Sequence, residues 1–191
     1  MYRLTLNFAI LVSLVVATIG IFQGNSIKAL KRNLLQECSR VNKGLTESNE
    51  DREKILDIAK QLERFNPSKG PVTDKNLNGT WTLEYTTSDS ILGRKGLKKS
   101  GPIFQSIDNN RLTAENSETV ILWGFKIPRK VVAEIVPTSK SNVNVFFKRF
   151  FVGPISFTLP VDAKGSLDTV YLDENLRISV GDKGNTFILT K

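Results

Sequence analysis

Histidine is missing from the 191 residues, and cysteine occurs once, at Cys38. Without histidine there is no Ser-His-Asp triad, no imidazole-ligated zinc and no imidazole proton relay near neutral pH. With one cysteine there is no intramolecular disulfide and no CxxC redox or metal pair. A core alone must hold the fold, and the length suits one domain with an appendage. Cysteine usage leans towards a reducing compartment. Acidic residues are sparse in the middle of the chain. Residues 91-149 carry eleven basic side chains against four acidic ones, which accounts for most of the net charge of +8. A basic stretch of this kind suits either a solvated face or a phosphate-bearing surface.

What is present begins with Leu4 to Phe22, 19 residues without a charge. As a helix this run would cover roughly 28 Å of hydrocarbon, so residues 1-26 read as a targeting or anchor segment. It is long for a cleaved signal, and no A-x-A site follows it. If it anchors, Lys28, Lys31 and Arg32 outweigh Arg3 and hold the C-terminal domain on the cytoplasm-like side.

Apolar residues then recur at helical spacing: Ile27, Leu30, Leu34, Cys38 and Val41, followed by Ile55, Ile58, Leu62 and Phe65. Ser48-Asn49-Glu50-Asp51 signals the start of the second helix, and Asn66-Pro67 its stop. Residues 27-76 are therefore expected to form an amphipathic helical hairpin and linker.

From Leu77 the period changes to two. Trp81, Leu83 and Tyr85 fall on one face of a strand within Thr80-Thr86. Eight further candidates follow: Leu112-Glu115, Val120-Phe125, Val131-Val136, Val143-Val152, Ile155-Leu159, Leu167-Leu172, Leu176-Val180 and Thr186-Thr190. Turn residues separate them and no helix joins them, which predicts antiparallel neighbours. Such strands close or sandwich to hide their edges. The expected fold is mainly β: a small antiparallel barrel of about eight strands over 77-191, whose interior is either packed or holds one small ligand. No internal repeat or low-complexity tract is present.

The candidate lumen residues are Trp81, Leu83, Tyr85, Phe104, Phe146 and Phe150. In Phe146-Phe147-Lys148-Arg149-Phe150-Phe151, period two puts Phe146 and Phe150 on one face and Phe147 and Phe151 on the other. One aromatic pair is then covered by the N-terminal helices or meets a lipid interface. Candidate membrane contacts are Lys95, Lys98, Lys99, Lys148 and Arg149. No RNP1-like octamer accompanies the basic residues, so nucleic acid is not an expected partner. The GxxG at Gly181-Asp182-Lys183-Gly184 opens no helix and reads as a hairpin loop. Asp168, Asp173, Glu174 and Asp182 have no catalytic spacing; charged turns and an Asp173-Arg177 ion pair explain them. No catalytic residue, metal site or cofactor is expected.

Leu77-Asn78-Gly79-Thr80-Trp81-Thr82-Leu83-Glu84-Tyr85-Thr86-Thr87-Ser88 and the stretch from Tyr171 through Gly181-Asp182-Lys183-Gly184-Asn185 to Leu189 resemble the plastid lipid-associated proteins, also called fibrillins or plastoglobulins. Gly101-Pro102-Ile103-Phe104-Gln105-Ser106-Ile107 and the helical segment ending at Asn66-Pro67 extend the resemblance over 27-191. Between 111 and 160 it holds only in pattern. The resemblance implies a lipocalin-like barrel without established catalysis. It also implies association with plastid thylakoids or plastoglobule lipid droplets, where carotenoids, quinones and other isoprenoids are organised. A lipid-biosynthesis enzyme is a further implied partner, which gives an alternative reading as a scaffold with a filled barrel. Gly79-x-Trp81 and Arg177 also resemble the lipocalin arrangement in which an arginine packs over a tryptophan and closes the barrel.

Overall fold

A computed structural model describes residues 23, 24, 26–94 and 96–191. The expected targeting or anchor segment lies almost wholly outside the described residues, and so does Lys95. Among the described residues no helix is long and apolar enough to cross a membrane.

Among the described residues two helices come first, α1 (26–40) and α2 (Asn49–Glu63). The Asp51 amide donates to the Ser48 hydroxyl at 3.1 Å, and the Ser48 amide donates to the Asp51 carboxylate at 2.9 Å. This reciprocal cap satisfies two donors at the helix start. Past the other end, Asn66 Oδ1 accepts from the amides of Ser68 and Leu172, stitching the helix exit to the barrel. Leu34, Cys38, Val41, Ile55, Ile58 and Leu62 bury against Tyr85, Tyr171, Leu176, Ile178 and Ile188. Each such aliphatic side chain contributes about 1.5–3 kcal/mol.

Nine strands follow: β1 (Gly79–Thr86), β2 (Phe104–Asp108), β3 (Thr113–Leu122), β4 (Phe125–Pro137), β5 (Asn142–Val152), β6 (Ile155–Thr158), β7 (Lys164–Leu172), β8 (Leu176–Gly181) and β9 (Thr186–Thr190). Their order is β4-β3-β2-β1-β9-β8-β7-β5-β6, and an additional β4–β5 pairing closes the sheet. β7 pairs with Asn142 to Phe146 and β6 with Arg149 to Val152, on successive stretches of β5. Those two strands share one position, with Pro160 between them, so the molecule is a closed eight-position antiparallel barrel. A four-residue helix, α3 (Asp89–Leu92), leaves the end of β1.

The strands differ from expectation in three places. Leu112-Glu115 and part of Val120-Phe125 belong to one strand, β3, and the latter candidate runs into the β3–β4 hairpin turn at Trp123-Gly124. Asn116 and Glu118 hid that continuity because they face the barrel interior, where Gln105 and Arg129 partner them. β2 lacks a clear alternation because Gln105 occupies an inward position.

Bulges matter more for the site. In β1 the register shifts between Leu83 and Tyr85, so Leu83 stands opposite Leu189 while Tyr85 stands opposite Ile188. Adjacent residues of a strand point to opposite faces, and an extra residue flips the pattern. Trp81 and Leu83 therefore face the lumen, whereas Tyr85 points outward beneath the helices. In β5 Lys148 is the extra residue: Phe147 opposes Ala133 and Phe150 opposes Val131. Phe147 and Phe150 thus share the inner face, and Phe146 and Phe151 the outer. This corrects the expected pairing of Phe146 with Phe150.

Candidate functional site

The barrel end at which β1 begins is closed. Two 3-10 turns, Pro71–Thr73 and Lys75–Leu77, fold across it and bury Val72 and Leu77 against Trp81, Leu172 and Leu189. The Trp81 indole N–H donates to the Leu77 carbonyl at 2.9 Å. The Arg177 guanidinium lies 5.0 Å from the Trp81 ring centroid, and the Lys191 ammonium 4.6 Å. Arg177 does not pair with Asp173. That carboxylate is held by Lys31 at 2.6 Å and by the Tyr171 hydroxyl at 2.7 Å. Arg177 instead donates to Gln105 Oε1, and its Nε and Nη1 have no partner among the described residues. Burial pushes the guanidinium down to about 9, leaving it charged at neutral pH.

The opposite, upper end is less complete. Ile91 of α3 covers its β1 side. On the β5–β6 side, inward-facing apolar residues stay open to solvent. Phe157 opposes Phe150 and Ile155 opposes Val152, yet they are 51% and 58% exposed. Glu118, Lys99 and Arg129 form a charged trio here, with Glu118 accepting from both cations, and Arg129 also lies 5.5 Å from the Phe150 ring. The rim is thus apolar on β5 and β6 and ionic on β3 and β4.

Of the six expected lumen residues, three face inward: Trp81, Leu83 and Phe150. Tyr85 donates instead to Glu47 at 2.6 Å, between the helical hairpin and the barrel. Phe104 opposes Thr82 and Ser117 on the outer wall, as does Phe146 opposite Glu134. Phe104, Pro128, Lys130 and Phe151 border an outer groove of about 450 Å³. The N-terminal helices pack on the β7-β8-β9-β1 wall, so they do not cover Phe146 and Phe151. Lysine and arginine do so in part: Lys148 lies 5.7 Å from the Phe146 ring and Lys130 5.0 Å from that of Phe151.

Among the expected membrane contacts, Lys98 is exposed. Lys99 is corrected, because its ammonium is committed to Glu118. Lys148 pairs with Glu134 at 3.0 Å, and Arg149 donates to Ser156 at 2.8 Å. Burial pushes the Cys38 thiol up to about 12, too high for a thiolate nucleophile at neutral pH. Sequence reasoning missed Phe147, Phe157 and Ile155 at the rim. The bulge at Lys148 turns Phe147 inward, and the β5–β6 register sets Phe157 and Ile155 beside Phe150 and Val152; both are tertiary features.

The PAP_fibrillin family model matches residues 28–190, which takes in both helices and the whole barrel. The chain belongs to the PAP_fibrillin family. It is 34% identical over 168 residues to the probable plastid-lipid-associated protein 5, chloroplastic, of Arabidopsis thaliana, covering 86% of this chain and 69% of that protein. It is 27% identical to plastoglobulin-1, chloroplastic, of Pisum sativum, covering 87% and 62%. It is also 27% identical to the light-induced protein, chloroplastic, of Solanum tuberosum, covering 87% and 68%. Membership assigns this chain a lipid-associated structural role and a plastid location with the other fibrillins.

Proposed function

We propose that this fibrillin is a non-catalytic lipid-binding protein of plastid membranes or lipid droplets, and that the barrel rim receives one end of an isoprenoid lipid such as a carotenoid or quinone. The observation that carries the reading is the solvent exposure of the inward-facing Phe157 and Ile155 beside Phe150. Apolar side chains on the inside of a barrel are ordinarily packed, and an unfilled aromatic rim offers an apolar chain a dry contact. The closed end, filled by Trp81, Leu172 and Leu189, stops a long ligand from passing through. The same filled end favours a second reading, in which the barrel carries no ligand and a wall recruits a lipid-biosynthesis enzyme.

Organic extraction of the full chain, purified from a pigment-containing photosynthetic host, tests the first reading by mass spectrometry. One lipophile per protein, of isoprenoid mass, is the expected result. A clean extract overturns it and leaves the scaffold reading.

A further inference from the structure

The β3–β4 hairpin turns at Trp123-Gly124, both with positive φ, 51° and 86°, between the paired Leu122 and Phe125. Two-residue turns of this kind select Asn, Asp or Gly at the first position, because a side chain crowds the left-handed backbone. A tryptophan there is strained, and here it gains no packing in exchange. Trp123 is 89% exposed and Phe125 71%. Two large aromatic residues therefore stand in water at the very tip of the longest hairpin.

The charge around them is net basic: Arg129 is paired with Glu118 and Lys130 with Glu115 at 3.1 Å, while Lys126 has no acidic partner among the described residues. Residues 119–133 carry Lys126, Arg129 and Lys130 and no acidic residue; 143–161 carry Lys148 and Arg149 and none either. The two segments are neighbours, since Arg129 opposes Val152 and the Gly153 amide donates to the Pro128 carbonyl at 2.8 Å. Exposed Ile155 therefore sits at the same upper end as the tip.

We infer that Trp123 and Phe125 form the insertion tip of a docking surface for an anionic lipid leaflet, with Lys126 and Arg149 over its headgroups. An indole at the polar–apolar boundary hides its ring while its N–H stays hydrated, and basic residues behind it gain from the negative surface potential. Docked this way, the upper barrel end faces the leaflet, and the rim opens onto the phase from which an apolar ligand would come. The inference rests on the lipid-associated reading but not on occupancy of the rim.

The chain supplies its own probe: it has two tryptophans, and Trp81 is fully buried. Full chain reconstituted in phosphatidylglycerol-containing vesicles with brominated acyl chains is expected to show blue-shifted, quenched Trp123 emission, weakened by added salt. Lys126→Gln should weaken the docking that the quench reports about fivefold at low salt. Trp123→Asn separates docking from folding, because asparagine suits the turn: Tm should hold or rise while the share of the chain that floats with the anionic vesicles falls. Emission that stays at the wavelength of a hydrated indole, unquenched in anionic vesicles at low salt, overturns the proposal. So does a blue shift produced by concentrating the protein without lipid, which would assign the tip to a second copy. An extract of Trp123→Asn that still contains the isoprenoid leaves the rim reading standing whichever way the quench falls.

Discussion

The Arg177 guanidinium stacks 5.0 Å from the Trp81 ring centroid, and among the described residues it takes part in no ion pair. A buried cation satisfied by one hydrogen bond and one aromatic face has lost most of its hydration without full return. The pair closes the barrel more by filling space than by charge.

Substitution separates those contributions. Arg177→Met keeps the volume and removes the desolvated charge, so Tm should stay level or rise. Trp81→Ala opens a cavity in the closed end and should cost about 3–5 kcal/mol in urea unfolding. A loss above about 2 kcal/mol for Arg177→Met would mean that the cation–π contact outweighs desolvation.

Gly44 lets the helical hairpin sit on the barrel. Its φ is +103°, and a Cβ placed there would stand 2.6 Å from the Thr86 carbonyl oxygen, a backbone atom with little room to move. The same loop offers its carbonyl to Arg94, while Glu47 accepts from Arg52 at 2.5 Å and from Tyr85. Gly44→Ala should therefore destabilise by about 2 kcal/mol or more, combining strain with overpacking. An unchanged unfolding midpoint would show that the loop yields freely.

Acid should unfold the protein, while pH between about 5 and 8 should leave it unaffected. With no histidine, no side chain at its ordinary value titrates in that window. Below it, three carboxylates matter. The Ser48 amide, then Arg40, hold Asp51 down at about 2. Hydrogen bonds from Lys54 and Arg40 hold Glu37 below its usual range. Burial pushes Asp173 up, but the bonds from Lys31, Tyr171 and two backbone amides outweigh it and leave it lowered. Each folded pKa lies under its unfolded value of about 4, so the unfolded chain takes up protons first. Stability is complete above that value and is lost as pH falls towards 2. Urea midpoints across this range check it, and a flat profile would count against these three contacts.

Much of this was legible from side-chain period. Ser48 and Asp51 marked a helix start, and Trp81 and Leu83 an inward face, because those features depend on neighbours in sequence. Tyr85 was not legible, since one extra residue in β1 turns it from the lumen to the helices. Phe147 and Phe150 illustrate the same point, as the extra residue Lys148 is recognised only once β4 lies beside β5. Asn116 and Glu118 broke a strand pattern because the upper interior is polar, which no single strand announces. Phe104 looked like a lumen residue from its chemistry alone, and only the register with Thr82 turns it outward.

That difference between Phe104 and Phe157 gives the decisive comparison for the rim. Both are exposed phenylalanines, so replacing either with serine should cost the fold little. Phe157 faces inward beside Phe150, while Phe104 borders the outer groove. If an isoprenoid end lies in the rim, Phe157→Ser loses an apolar contact of up to about 1.5 kcal/mol, enough to lower retention roughly tenfold. Phe104→Ser should retain the ligand at the wild-type ratio. Extracts of the two variants, quantified per mole of protein, decide between the surfaces. Loss confined to Phe104→Ser would move the ligand from the rim to the outer wall between β2 and β5.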